Sequence, residues 1–183
     1  LFNGFKPYQQ IPFQFSLHVL NDEDGELAHF EYLHEEPTDP SLSIIAKLRE
    51  TIGPEGSIIV WSKRFEKGIN SQLAERNPEH KDFLEDINER IYDLMEIFQK
   101  QFYVHPDFRG KVSIKKVLPV MAPKLSYAEL SIKEGGSAME AWNQMIFGSG
   151  SREDKLKIAD DLRKYCGLDT YAMYAIWKEL INL

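Results

Sequence analysis

A short apolar run, SIIVW at residues 57–61, constrains the fold of this chain more than any other feature. Turn residues precede the run and polar residues follow it. An uninterrupted apolar run of this length is typical of a strand buried on both faces. A predicted strand pair lies before the run and predicted helices lie after it. The order of elements therefore predicts a mixed sheet covered by helices, in the α/β class.

The rest of the chain carries recognisable element signals. Residues 11–20 and 26–35 alternate polar with β-branched and aromatic residues, which predicts a β-hairpin with a turn at 21–25. The run IYDLM at 91–95 fits either a short strand or a continuing helix, and the strand is favoured. Helices are expected from Ser41 to about Thr51, at 67–76, at 78–90, from Ser113 to near Pro119, at 137–147 with Ser137 as cap, and after a capping box at 151–154.

Composition limits the size, compartment and partners of the protein. At 183 residues the chain has the length of a single domain, and 43% of its residues are apolar. No stretch approaches the length of a membrane span, so no membrane partner is expected. The single cysteine, Cys166, falls on an apolar helix face and indicates a reducing compartment. We therefore expect a cytoplasmic protein.

Two basic segments are candidates for binding nucleic acid. The formal net charge of −7 disfavours indiscriminate nucleic-acid binding through the overall field, but it leaves room for a local basic groove. The segment at 109–116 contains Lys115 and Lys116 and has no acidic residue, and the segment at 62–67 contains Lys63 and Arg64. The alternative interpretation of each segment is an ordinary solvated face.

An acidic residue interrupts the apolar face of the last predicted helix. Apolar residues recur at helical spacing over 162–180, and Asp169 falls in the middle of them. Burying an unpaired carboxylate is unfavourable by several kcal/mol, so Asp169 should have a partner, lie at a helix end or hold a metal. One alternative is that Gly167 ends a helix and Asp169 caps the next. The other is a continuous helix with the carboxylate on its apolar face.

A second unusual carboxylate, Glu66, follows the predicted buried strand. Ligands in α/β proteins bind where the chain leaves the carboxyl ends of such strands. We expect Phe65 to anchor this part of the chain in the core and to leave Glu66 at the edge of the sheet. The alternative is an exposed glutamate in the first turn of a helix, where it would interact favourably with the helix dipole.

The order of these residues resembles a known enzyme superfamily. Ser62, Phe65 and Glu66 after a buried strand, followed by Tyr165 and Asp169 on the last helix, resemble the second and third motifs of the DEDD (DnaQ-like) 3′–5′ exonucleases. More narrowly, PYQQIPFQFSLH, FRGKVSIKKVLP and YCGLDT resemble a bacterial family catalogued as a domain of unknown function and grouped with these nucleases. The resemblance implies a ribonuclease H-like mixed sheet flanked by helices, over a single domain at 1–183.

The resemblance also implies a metal-dependent reaction. In that superfamily, carboxylates hold two divalent cations, which position the attacking water and stabilise the leaving 3′ oxygen. Glu66 and Asp169 would be metal ligands for Mg²⁺ or Mn²⁺, and Tyr165 would orient the water. The partner would be the 3′ end of DNA or RNA.

The sequence departs from the superfamily pattern in two respects. The second motif usually has Asn and Asp where this chain has Ser62 and Glu66, and the first motif, Asp-x-Glu on the first central strand, is absent. The chain begins at Leu1, so we expect it to be a fragment of a larger protein with other domains. We expect the fragment to lack that strand and to have little nuclease activity alone. A noncatalytic binding module and a purely structural domain are the alternatives.

Overall fold

The computed structural model describes residues 2, 5, 9–21 and 25–183, which form a mixed α/β structure. The strands are β1 (Gln14–Leu20), β2 (Leu27–Leu33), β3 (Ile58–Val60) and β4 (Ile91–Asp93). The helices are α1 (Ser41–Thr51), α2 (Lys63–Arg76), α3 (Lys81–Arg90), α4 (Met95–Gln99), α5 (Ile114–Met121), α6 (Gly135–Phe147) and α7 (Arg152–Leu180).

The contacts within the chain define two compact units. Unit 1 comprises Leu1–Ile52 and Ala128–Gly167, and unit 2 comprises Gly53–Tyr127 and Leu168–Leu183. The single domain expected over 1–183 stays a prediction.

Unit 1 contains the predicted hairpin. β1 and β2 pair antiparallel, with a register that runs from Gln14 opposite Leu33 to Leu20 opposite Leu27. The alternation of polar and apolar residues sets this register, because one face of the pair packs on a core. The hairpin prediction is confirmed for the strands, whereas residues 22–24 of the predicted turn lie outside the described part of the chain.

The core of unit 1 is built around a buried tryptophan on α6. Trp142 is 1% exposed and stacks on Phe13, with 4.8 Å between the ring centroids. Its indole N–H donates a 2.7 Å hydrogen bond to the backbone carbonyl of His34. Leu33 and Leu162 belong to the same buried cluster. This packing joins the hairpin, α6 and the first part of α7.

Unit 2 contains a small parallel sheet. β3 pairs with β4, and the register places Ile58 opposite Ile91 and Val60 opposite Asp93. Val60 and Ile91 are buried, and α2 packs against α3 and β4. The strand predicted at 57–61 is confirmed for Ile58–Val60, but Ile59 is 39% exposed, so the expected burial on both faces is wrong. The favoured strand at 91–95 is confirmed for its first three residues.

The sheet organisation differs from the expected single mixed sheet. The four strands described form two separate two-stranded sheets, one antiparallel and one parallel. The apolar pattern identifies where each strand lies in the chain. It does not record which strand edges pair, since backbone groups make those bonds.

Several helix boundaries also differ from the expected ones. α2 begins at Lys63, four residues before the predicted start. α6 begins at Gly135, so Ser137 lies inside the first turn and donates to the Glu134 carbonyl instead of capping the helix. Pro119 lies within α5, which ends at Met121. No helix in the described ranges has both the length and the apolar composition required to cross a membrane.

Candidate functional site

The parallel sheet of unit 2 brings the carboxyl ends of two strands to one edge. Ser62 occupies the N-cap position of α2, two residues after the end of β3, and Asp93 ends β4. The Asp93 carboxylate accepts backbone N–H hydrogen bonds from Lys63 at 2.8 Å and Met95 at 3.0 Å. It therefore fixes the starts of α2 and α4. Sequence reasoning missed Asp93, although an acid that ends a strand run is the signal that could have identified it.

A charged network occupies the same edge. The ammonium group of Lys63 forms an ion pair with Glu96, which also pairs with Lys100. Hydrogen bonds from Lys100 and Lys63 lower the pKa of the Glu96 carboxyl to about 2. The charge of Lys63 is therefore engaged within the protein, while Arg64 beside it is exposed. The nucleic-acid role of both residues stays a prediction.

Glu66 differs from the other carboxylates at this edge. Its side chain is half-buried on the first turn of α2, and no hydrogen bond or ion pair joins its carboxylate to another described residue. Burial alone raises the pKa of Glu66 to about 7. The carboxylate is thus poised between its neutral and charged forms near neutral pH. A cation beside it would favour the charged form.

The expected role of Phe65 as a core anchor is wrong. Phe65 is 50% exposed. Because α2 begins at Lys63, both Glu66 and the buried Leu73 lie within this helix. They are seven residues apart, and this separation places two side chains on the same helix face. Phe65 is rotated away from that face. The helix register therefore turns the acid, and not the aromatic ring, toward the interior.

Asp169 lies within a continuous helix. α7 runs without a break from Arg152 to Leu180, so the alternative in which Gly167 ends a helix and Asp169 caps the next is wrong. The Asp169 side chain is half-buried, and its Oδ1 accepts a 2.6 Å hydrogen bond from the hydroxyl of Tyr127. The carboxylate on the apolar face therefore has a partner, and both Asp169 and Glu66 belong to unit 2.

Tyr127 also contacts one of the predicted basic residues. The Lys115 ammonium lies 5.8 Å from the centroid of the Tyr127 ring. One buried tyrosine thus joins a predicted metal ligand to a predicted nucleic-acid-binding lysine. Sequence reasoning missed Tyr127 because 42 residues separate it from Asp169 and no local pattern marks it. Lys116, the next residue along α5, is exposed.

Tyr165 lies one turn before Asp169 on α7. Its ring packs against the buried cluster of unit 1 that contains Trp142. The side chain therefore has a packing role in the described structure. The catalytic role of its hydroxyl stays a prediction.

The donor atoms of Glu66 and Asp169 suit a hard divalent cation. Carboxylate oxygens are the ligands that Mg²⁺ and Mn²⁺ prefer. In the part of the chain that is described, no group of three or more His, Cys, Asp or Glu residues is arranged to hold a metal ion. The Glu66 carboxylate, which has no partner among the residues that the structure describes, is the feature that fits a cation.

Comparison with known proteins gives one family and several relatives. The profile of the family described as "Domain of unknown function (DUF2779)" matches residues 1–113. "Uncharacterized protein UU173" of Ureaplasma parvum is 31% identical over 73% of this chain, and "Uncharacterized protein MG366" of Mycoplasma genitalium is 27% identical over 96% of it. The chain spans 21% and 29% of the lengths of these two relatives. No solved structure gives a significant match.

Proposed function

Because the chain belongs to the DUF2779 family, whose matched relatives are uncharacterised bacterial proteins, we propose its function from its own residues. We propose that it is part of a metal-dependent nuclease of ribonuclease H-like fold. The enzyme hydrolyses phosphodiester bonds at the 3′ end of a nucleic acid, as a 3′–5′ exonuclease of the DEDD type.

The observation that carries this proposal is the Glu66 carboxylate, to which no other described residue is joined by a hydrogen bond or an ion pair. A half-buried carboxylate without a partner destabilises the folded protein when it is charged, and its pKa of about 7 reflects that penalty. A divalent cation would offset the penalty, because a bound cation favours the charged form of its ligands. Strongly perturbed carboxylates near strand ends are typical of functional sites.

Asp169 is the second ligand in this proposal. The Tyr127 hydroxyl donates to its Oδ1 and so limits the directions that the carboxylate can take. In two-metal nucleases the cations, when bound, activate a water and stabilise the leaving 3′ oxygen. Glu66 and Asp169 would hold the cations, and Tyr165 would orient the water by hydrogen bonding. The remaining ligands would come from an Asp-x-Glu segment upstream of residue 1.

Lys115 supports a phosphate-containing substrate. Its ammonium lies over the Tyr127 ring, and the hydroxyl of Tyr127 donates a hydrogen bond to Asp169 Oδ1. A lysine ammonium near a metal ligand can contact the phosphate next to the scissile bond, because lysine binds phosphate as a point charge. The same contacts would be of little use to an uncharged substrate.

The test is digestion of 3′-labelled single-stranded DNA and RNA in the presence of Mn²⁺. The protein tested is the chain extended upstream through the proposed Asp-x-Glu segment, compared with its Asp169→Asn variant. Asp82→Asn is the matched control, because Asp82 is an exposed acid on α3 with no proposed role. We expect a loss of at least about a hundredfold in Asp169→Asn and no loss in Asp82→Asn. Equal activity in all three proteins would contradict the catalytic assignment.

A noncatalytic module that binds nucleic acid or protein is the second candidate. The observation that favours it is the presence of Ser62 and Glu66 where the exonuclease pattern has Asn and Asp. If the extended protein binds oligonucleotides but does not cleave them with Mn²⁺ or Mg²⁺, the binding module replaces the enzyme.

A further inference from the structure

The loop between α4 and α5 in unit 2 exposes two large apolar side chains. Phe102 is 78% exposed and Val104 is 67% exposed. Leaving a phenylalanine in water forgoes the stabilisation that its burial would bring. The next residue, Tyr103, packs its ring against Phe98 and Phe108. Aromatic side chains of this loop can therefore be buried, and Phe102 is exposed although its neighbour is not.

A cluster of aromatic rings anchors the loop from the inside. Phe98 contacts Trp61, Tyr103 and Phe108, with ring centroids 5.6, 6.0 and 5.7 Å apart respectively. The indole N–H of Trp61 donates to the Val112 carbonyl at 3.2 Å and holds the far end of the loop. These contacts fix the loop on the same unit that contains Glu66 and Asp169.

The backbone at Gln101 turns Phe102 outward. Gln101 has a φ of 59°, a left-handed conformation that is unfavourable for a residue other than glycine. The Phe102 N–H donates to the Ile97 carbonyl at 2.9 Å, which closes the end of α4. The backbone of Phe102 is therefore held by a hydrogen bond, although its side chain makes few packing contacts.

A tight turn presents basic residues at the other end of the loop. Arg109 and Gly110 have φ values of 50° and 72°, and the Lys111 N–H donates to the Phe108 carbonyl at 2.9 Å. Two left-handed residues closed by such a bond form a type I′ turn. Arg109 and Lys111 are exposed, and among the described residues neither forms an ion pair. Their charges remain available to a partner.

The charge of this segment is opposite to that of the chain. The stretch 100–116 has five basic residues (Lys100, Arg109, Lys111, Lys115 and Lys116) and one acidic residue, Asp107, whereas the whole chain has a net charge of −7. Within the loop, the rings of Tyr103 and Phe108 are in contact, with 6.1 Å between their centroids. Phe102 precedes Tyr103 in the chain and Arg109 follows Phe108, so this contact brings the two parts of the loop that carry Phe102 and Arg109 together. The partner of such a surface is an anion with a flat apolar face.

We propose that this loop binds single-stranded nucleic acid, with Phe102 stacked on a base and Arg109 and Lys111 on neighbouring phosphates. Single-strand binding combines an aromatic platform with cations along the backbone path. The basic segment continues to Lys115, which lies on the Tyr127 ring beside Asp169, so a strand on the loop would be led toward the proposed metal ligands. The proposal rests on the proposed function for its choice of nucleic acid over an anionic membrane.

The test is binding of the 183-residue chain to a fluorescent single strand of about 12 nucleotides, measured by anisotropy in EDTA. EDTA prevents cleavage, so a failure of the nuclease proposal does not change this result. The variants are Phe102→Ala and the double variant Arg109→Gln/Lys111→Gln. Phe30→Ala and Lys157→Gln are the matched controls, because both residues are exposed and belong to unit 1.

We expect Phe102→Ala to weaken binding by about fivefold or more, since that is the smallest loss typical of a stacked base. We expect the double variant to lower the slope of log affinity against log salt by about 1.4, which corresponds to two phosphate contacts. The two controls should bind like the unchanged protein. If the chain does not bind the strand, or if Phe102→Ala binds as tightly as Phe30→Ala, the proposal is overturned.

A parallel measurement uses vesicles of phosphatidylserine and phosphatidylcholine. Binding to vesicles that Phe102→Ala abolishes, together with unchanged binding to the oligonucleotide, would assign the loop to a membrane and overturn the proposal. Binding to the oligonucleotide that depends on Phe102, without any cleavage by the extended protein, would leave this inference intact and remove only the nuclease assignment.

Discussion

The two units differ in how they accommodate polar groups away from water. In unit 1, His34 is 4% exposed, and its ring nitrogens hydrogen-bond to the Tyr32 hydroxyl at 3.1 Å and to the Thr38 hydroxyl at 3.0 Å. In unit 2, the half-buried carboxylate of Glu66 has no such partner among the described residues. A buried polar group that is satisfied supports the fold, whereas one that is unsatisfied requires a further explanation.

The same contrast exists within unit 2 between two carboxylates. Asp93 accepts two backbone N–H bonds and fixes the ends of two helices, which is a structural role. Glu66 lies near the same edge and fixes nothing that is described. The location of an acid at a strand end therefore does not by itself assign a function. The number of partners that the acid has makes the distinction.

The largest effect is expected in the core of unit 1. Trp142→Ala should lower the free energy of unfolding by about 3–5 kcal/mol, because it removes a fully buried indole and its contact with Phe13. Urea denaturation followed by circular dichroism measures the change. Trp142→Phe keeps an aromatic ring but leaves the His34 carbonyl without its donor, so it should lose about 1–3 kcal/mol. A loss below 1 kcal/mol in Trp142→Ala would contradict this account of unit 1.

The next effect concerns Glu66 and has the opposite sign. Burial raises its pKa from 4.5 to about 7, so the folded protein binds the proton more tightly than the unfolded chain does. The stabilisation linked to Glu66 is therefore fully present below about pH 4.5 and is lost as the pH rises through about 7. Glu66→Gln should be more stable than the unchanged chain at pH 8, by about 1–2 kcal/mol once solvent screening is allowed for.

Urea denaturation at pH 4.5 and at pH 8 measures this prediction. The matched control is Glu89→Gln, since Glu89 is an exposed acid on α3. Between the two pH values the stability of the control should change as that of the unchanged chain does, whereas the gain of Glu66→Gln over the unchanged chain should be larger at pH 8 than at pH 4.5. A Glu66→Gln variant that is less stable at pH 8 would mean that the charged carboxylate has a stabilising partner, and the contrast with His34 would disappear.

A smaller effect is expected at Tyr127. Tyr127→Phe removes the hydroxyl that donates to Asp169 Oδ1, so the free energy of unfolding should fall by about 1 kcal/mol at neutral pH. The measurement is again urea denaturation, now with Tyr92→Phe as the control because Tyr92 is 61% exposed. Equal stability of both variants and the unchanged chain would show that Asp169 does not depend on this hydroxyl.

The local elements of this fold could be predicted from the sequence because their causes are local. The helix predicted from Ser41 to about Thr51 matches α1, and Asp39 accepts hydrogen bonds from the backbone and hydroxyl of Ser41 at its start. The capping box at 151–154 is confirmed, because Ser151 and Asp154 exchange hydrogen bonds between side chain and backbone. Each of these signals involves residues within four positions of one another.

The arrangement of the candidate site could be predicted only in part. The position of Glu66 after β3 followed from spacing, whereas spacing left open both a continuous α7 and a break at Gly167. The orientation of Phe65 depended on where α2 begins, and the predicted start was four residues too late. The bond from Tyr127 to Asp169 could not be predicted, because it joins residues that tertiary packing alone brings together.

The effect of Mn²⁺ on the unfolding free energy at pH 8 tests directly whether Glu66 and Asp169 hold a divalent cation. It uses the chain extended upstream through the proposed Asp-x-Glu segment, its Glu66→Gln and Asp169→Asn variants, and Glu89→Gln as control. If Glu66 and Asp169 hold a divalent cation, Mn²⁺ stabilises the unchanged protein and the control, because a ligand that binds only the folded state raises its stability. Mn²⁺ does not stabilise the Glu66→Gln and Asp169→Asn variants. Equal stabilisation of all four proteins by Mn²⁺, or of none, would contradict the claim.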